Sequence, residues 1–147
     1  MRLARLKARA VANEFGPALI IGSDQVAECE GLRMDKPGSR SRAIEQLSWA
    51  SGRQAVFNTA VTLFNTTTGL DQTVVVPTKV RYRQITKAEI ERYLDKEAAF
   101  DCAGSAKAES LGISLLDAIK GDDPTALIGL PLIALCAMLR NESIAIP

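Results

Sequence analysis

Residues 18–25 read Ala18-Leu19-Ile20-Ile21-Gly22-Ser23-Asp24-Gln25, and this stretch decides the fold class. A continuous apolar run closed by a glycine predicts a short strand. Being apolar on both faces, it suits the middle of a sheet covered by helices. Ser23-Asp24-Gln25 is then expected at its carboxyl end, where open α/β sheets collect their ligands. Upstream, Leu3, Leu6 and Ala10 mark one face of a helix ending near Asn13, ahead of Gly16-Pro17.

Downstream, Val26 to Met34 predicts a hairpin turning at Glu30-Gly31, followed by a loop, Asp35-Lys36-Pro37-Gly38. Ser41 to Ala50 predicts a helix, with Ala43, Ile44, Leu47 and Ala50 on one side and Gly52 as its stop. Val56 to Phe64 and Thr73 to Arg83 predict antiparallel strands, and Pro77 places the second at an edge or a bulge. Thr86-Lys87-Ala88-Glu89 is a capping box opening a helix that buries Ile90, Tyr93 and Leu94. A small-residue loop, Cys102-Ala103-Gly104-Ser105, precedes a short strand around Ile113 to Ile119. Pro131 opens the last helix, where its missing N–H costs nothing. Trp49 and Tyr93, at core-like spacing, are expected to pack inside. The expectation is a single mixed α/β domain over residues 1–147.

Composition narrows the chemistry. The net charge of +1 gives no global field to attract nucleic acid or an anionic membrane. The absence of histidine excludes Ser-His-Asp and Cys-His catalysis and every His-ligated metal. Cys29, Cys102 and Cys136 form no C-x-x-C pair, so idle thiols in a reducing cytoplasm are expected. The apolar run Ala126 to Leu139 is too short for a bilayer. The opening residues lack the apolar segment of a secretory signal. Their helical face leading into a strand also argues against a transit peptide.

What remains is carboxylates, lysines and hydroxyls. Asp24, after a buried strand, can activate a water or hold a divalent cation; a plain Asx-turn or helix cap explains it equally well. Lys7 and Lys36 are candidate phosphate partners, or ordinary solvated lysines. Glu109 can accept hydrogen bonds from the donor edge of a guanine, or lie idle on the surface. No phosphate-binding P-loop, dinucleotide fingerprint or nucleophile elbow is present.

Together the motifs form an ordered series: Arg2-Leu3-Ala4 with Lys7-Ala8, Leu19 to Val26, Lys36-Pro37, Ala50-Ser51-Gly52, Cys102 to Ser105, Glu109 with Gly112-Ile113, and Gly129 to Cys136. The series resembles the Maf family, nucleoside triphosphate pyrophosphatases with a fold like that of inosine triphosphatases. The Ser-Asp-Gln strand motif with Cys-Ala-Gly-Ser and a following glutamate is similar to the subgroup acting on 7-methyl-GTP. The resemblance implies a mixed central sheet with flanking helices. It also implies hydrolysis between the α and β phosphates, giving a monophosphate and pyrophosphate with Mg²⁺ or Mn²⁺. By resemblance Asp24 is the proton acceptor, Gln25 and Glu109 set base preference, and Lys7 and Lys36 bind phosphate. A homodimer is a family-level expectation.

The chemistry is coherent. Lysines and a divalent cation neutralise the leaving pyrophosphate, and a glutamate attracts the positive charge of a 7-methylated guanine. Family members also carry a strand and a Ser-x-x-Arg-Arg loop that fall before Met1. The gap is read as a misplaced start codon or a truncated chain, and the expectation for these residues is an N-terminally truncated Maf-like fold. Its alternative function is a weak or inactive nucleotide-binding or regulatory relative. A nucleic-acid module is disfavoured by the near-neutral charge and the lack of clustered aromatics.

Overall fold

A computed structural model describes residues 1–147. Helix α1 (Arg2–Ala10) leads into strand β1 (Leu19–Cys29), which turns at Glu30-Gly31 into the short β2 (Leu32–Arg33). Helix α2 (Arg40–Ala50), strands β3 (Gln54–Asn65) and β4 (Asp71–Tyr82), helix α3 (Lys87–Lys96), strand β5 (Leu116–Lys120) and helix α4 (Leu132–Asn141) follow. The α/β class read from sequence is the class observed. The five strands form one sheet in the order β2-β1-β3-β4-β5, with antiparallel β1–β2 and β4–β5 ladders.

The chain divides into two compact units whose boundaries fall within β1, β3 and β4 and at the end of β5. Residues 1–25, 58–77 and 121–147 form the first; residues 26–57 and 78–120 form the second. In the first unit, Ile20 and Phe64 pack with Ala8 of α1. Val61 and Leu63 pack with Leu135 and Met138 of α4. Adjacent strand residues point to opposite faces, so this part of the sheet is covered on both sides. That accounts for the nearly unbroken apolar sequence of β3.

Three sequence expectations need correction here. First, β1 does not end at Gly22: it runs on to Cys29, with Ala27 and Cys29 buried in alternation, so Ser23, Asp24 and Gln25 lie mid-strand. Ile21 is exposed, so the apolar run is not buried on both faces along its length. Second, α1 buries Ala4 and Ala8, while Leu3 and Leu6 are exposed. A Cβ at Gly22 would lie 2.7 Å from the Ala8 nitrogen and closer still to the Ala4 carbonyl oxygen. The helix therefore rests on bare strand backbone, at a separation that admits only alanine. Third, Trp49 is part-exposed, with the Arg53 guanidinium 4.3 Å above its ring. A cation–π lid over a surface indole replaces the expected core contact.

The second unit buries Ala43, Leu47 and Ala50 of α2 and Ile90, Tyr93 and Leu94 of α3. Pro77 lies just beyond the last β4–β5 pair, Lys79 with Lys120, so no β5 partner calls on its absent N–H. A 3₁₀ turn at Leu111–Leu115 takes the first part of the strand expected around Ile113. Pro131 caps α4 from one residue outside it.

The capping box of α3 forms in full. Glu89 accepts from the Thr86 backbone N–H and hydroxyl, each at 2.8 Å, and from Arg83 at 3.0 Å. Chiefly through Thr86, and then Arg83, these bonds hold the Glu89 carboxyl at about 2, below its ordinary 4.5. A depressed carboxylate pKa stabilises the fold above the unfolded value, and the benefit fades as pH falls through the folded one. The melting-temperature gap between wild type and Glu89→Gln should therefore be constant above about pH 5 and close towards about pH 2. An unchanged gap across that range would show that the carboxylate charge contributes nothing.

Candidate functional site

Asp24 lies midway along β1 with its side chain mostly covered. The close seating of α1 over Gly22 brings Lys7 to it. The Lys7 ammonium donates to Asp24 Oδ1 at 2.8 Å and to the Ser23 carbonyl at 3.0 Å. An ammonium carries three donors, so Lys7 has one beyond these two bonds, and it engages only Oδ1 of the carboxylate. Ion pairs as exposed as this one contribute about 0–1 kcal/mol to stability. Its main effect is positional: it sets the carboxylate's rotamer and stations a cation beside it.

Ser23 and Gln25 hold the flanks. The Ser23 hydroxyl is shared between the Ala60 carbonyl at 2.9 Å and the Gly129 carbonyl at 2.5 Å. Gln25 Nε2 donates among Thr59 Oγ1 at 2.8 Å, the Leu127 carbonyl at 2.9 Å and the Ala126 carbonyl at 3.1 Å. Two of those acceptors are carbonyls, so the nitrogen must face them. Whatever Gln25 offers a ligand is therefore its Oε1 acceptor.

The loop that Ser23 and Gln25 grip is itself anchored by Asp123. This buried carboxylate accepts from the Thr125 hydroxyl at 2.6 Å and from the Ile133 N–H at 2.8 Å. Burial alone would raise its carboxyl. The bonds from Thr125, Ile133 and Ala134 more than offset that and hold it below the usual range. Thr125 accepts in turn from the Leu132 N–H at 2.8 Å. Two free N–H groups at the start of α4 are thus satisfied.

Lys36 and Glu109 belong to the second unit, and both are exposed. Asp101 pairs with Lys107 at 3.2 Å, which lowers its carboxyl, and the Lys36 charge adds to the effect. Burial first, then Asp101, pushes the Cys102 thiol up to about 11, with Glu109 contributing. The charges of Lys36, Asp101, Lys107 and Glu109 are thus felt around one loop. A thiol so weakly acidic is inert as a nucleophile.

Of the residues singled out by sequence, Lys7 and Asp24 meet in the first unit, Gln25 turns to the other face of β1 towards Thr59 and the 126–127 carbonyls, and Lys36 and Glu109 lie exposed in the second. Ser23, Asp123, Asp101 and Lys107 were not singled out for these roles. Lys107, lying between Ser105 and Glu109, could have been suspected. Nothing local separates Asp123 from an ordinary turn aspartate.

No group of three or more His, Cys, Asp or Glu side chains converges on a point. That donor set does not form an all-protein cage. A hard cation at this site would draw its ligands from substrate phosphates and water, beside the Asp24 carboxylate. No helix is long and apolar enough to cross a membrane.

The sequence pattern of Maf-like proteins matches residues 1–142. The 7-methyl-GTP pyrophosphatase of Aromatoleum aromaticum is 54% identical over 146 residues, covering 99% of this chain and 75% of that protein. Its namesake from Albidiferax ferrireducens is 50% identical, over 99% of this chain and 73% of its own. That from Thiobacillus denitrificans is 52% identical, over 98% and 72%.

Proposed function

The chain belongs to the Maf family, and from that premise we propose that it hydrolyses 7-methyl-GTP, or a closely related modified nucleoside triphosphate, to the monophosphate and pyrophosphate. The observation that carries this reading is the Lys7–Asp24 pair, 2.8 Å apart, with Lys7 on α1 and Asp24 in the middle of β1.

The residues divide the work. Asp24 takes a proton from the attacking water through Oδ2, the oxygen Lys7 leaves alone. Lys7 directs its remaining N–H at a phosphate oxygen, and Lys36 is the second lysine assigned to phosphate binding. Gln25 Oε1 and the Glu109 carboxylate accept from the donor edge of the base. A divalent cation, Mg²⁺ or Mn²⁺, would be held by the substrate phosphates and water beside Asp24 and would supply charge neutralisation for the leaving pyrophosphate. Residues 1–147 act as one functional domain.

The alternative of an inactive nucleotide-binding relative is not favoured. The relatives that match at about half identity carry the name of the enzyme, and the proposed proton acceptor stands beside its cation.

The test is pyrophosphate release from 7-methyl-GTP and from GTP with Mg²⁺ or Mn²⁺. Wild type should prefer the methylated base. Glu109→Gln should erode that preference about tenfold, or roughly 1.4 kcal/mol. Cleavage of GTP but not 7-methyl-GTP by wild type would sink the base assignment. Binding of either nucleotide without cleavage would restore the inactive-relative reading.

A further inference from the structure

Gln46 belongs to none of the motifs above. It stands on α2, and its side-chain amide spans two loops of the second unit. Nε2 donates to the Asp35 carbonyl at 3.0 Å, and Oε1 accepts from the Ser105 hydroxyl at 2.5 Å. Asp35 immediately precedes Lys36. Ser105 stands shortly before Lys107 and Glu109. One planar group therefore ties the loop carrying the proposed phosphate lysine to the loop leading to the proposed base-reading glutamate.

Ser105 is fully buried and holds a left-handed backbone, φ 54°, directly after Gly104 at φ 76°. A side chain at such φ is disfavoured unless its surroundings hold it there. Gly104 is fixed in place: a Cβ there would lie 2.7 Å from the Phe57 ring, and its carbonyl accepts from the Tyr82 hydroxyl at 3.0 Å. For Ser105 the hold on its side chain is the bond to Gln46. Backbone bonds close the loops on either side, from the Gly104 N–H to the Met34 carbonyl at 3.2 Å and from the Gly38 N–H to the Phe100 carbonyl at 2.9 Å.

We infer that Gln46 is a positioning residue for substrate binding, setting the spacing between Lys36 and the Glu109 loop by clamping Asp35 and holding Ser105 in its left-handed conformation. This rests on the pyrophosphatase reading for its substrate. It asks for a group that donates at one end and accepts at the other. Glutamate cannot donate to the Asp35 carbonyl, and asparagine is one methylene short.

The test compares Gln46→Met, Ser105→Ala, and Gln46→Met combined with Ser105→Gly, using steady-state kinetics with 7-methyl-GTP and amide hydrogen exchange. Gln46→Met should raise KM about tenfold and change kcat less than about threefold, because it misplaces binding groups and leaves Lys7 and Asp24 untouched. Exchange should quicken in both loops, residues 34–38 and 102–107. Ser105→Ala, which keeps the clamp on Asp35, should quicken only the second. Adding Ser105→Gly to Gln46→Met should recover only part of the lost KM, since glycine takes the left-handed conformation unaided while the Asp35 bond stays broken.

An unchanged KM, a fall confined to kcat, or complete rescue by Ser105→Gly with the Asp35 bond still broken would overturn the assignment. Should wild type fail to cleave 7-methyl-GTP, the pyrophosphatase reading is what fails. The exchange pattern still decides the clamp, because coupled loosening of the two loops needs no turnover. Exchange unaltered in both loops in Gln46→Met rejects it outright.

Discussion

Asp24→Asn is expected to lower kcat for pyrophosphate release from 7-methyl-GTP by about a thousandfold, within the range a general base contributes. Asparagine keeps the shape of the side chain and an oxygen that can still accept from Lys7, now 2.8 Å from Oδ1. It cannot take a proton from water. KM and the melting temperature should therefore move little, and the loss should sit in kcat, as for a group needed only in the transition state. Ser23 and Gln25 keep their bonds to the Gly129, Ala126 and Leu127 carbonyls in the variant, so the loop before α4 has no reason to shift. Turnover within about threefold of wild type would remove Asp24 from the proton-acceptor role and leave the Lys7 pair as structure alone.

Gly22→Ala should have the largest effect on stability. The backbone of Gly22 needs no left-handed conformation, so an alanine is not strained by φ. The difficulty is space. The added methyl would lie 2.7 Å from the Ala8 nitrogen and 2.9 Å from its Cβ, with the Ala4 carbonyl closer still. Two of these are helix backbone atoms and the third is a Cβ fixed to that backbone, none of which can turn aside as a side-chain tip can, so α1 must lift from β1. Overpacking a tight core contact costs about 1–3 kcal/mol, and a contact against backbone belongs at the upper end. A fall in melting temperature of about 10 °C is expected for a chain of this size. Activity should fall as well, because lifting α1 carries Lys7 away from Asp24. Gly16→Ala is the control: nothing lies within 4 Å of its new methyl, and its stability should match wild type. A Gly22→Ala protein as stable as that control would mean that α1 is not held at the distance described.

How much of this was legible beforehand varies with the range of the interaction. The capping box at Thr86 and Glu89 was readable because both partners lie within one helical turn, and it forms as expected. The turn at Glu30-Gly31 was readable for the same reason, since both residues adopt positive φ there. The face of α1 was misread because hydropathy favours Leu3 and Leu6, whereas the strand backbone at Gly22 leaves room only for Ala4 and Ala8. A large aromatic such as Trp49 is usually counted as core, and here it stays exposed with the Arg53 guanidinium over one face of its ring. The end of β1 was placed too early because Ser23, Asp24 and Gln25 look like a loop. In the structure their polar atoms meet partners up to 106 residues away along the chain.

By itself, then, the sequence determined the elements, the family and the short list of reactive side chains. Those follow from local propensity and from the order of motifs along the chain. Only the tertiary structure decided that Lys7 stands against Asp24, that Gln25 turns its nitrogen inward and that Gln46 spans two loops. Each of these depends on which carbonyls and carboxylates folding brings within 3 Å or so of a donor. Hydrogen bonding is short-ranged and directional, so no count of residues along the chain anticipates it.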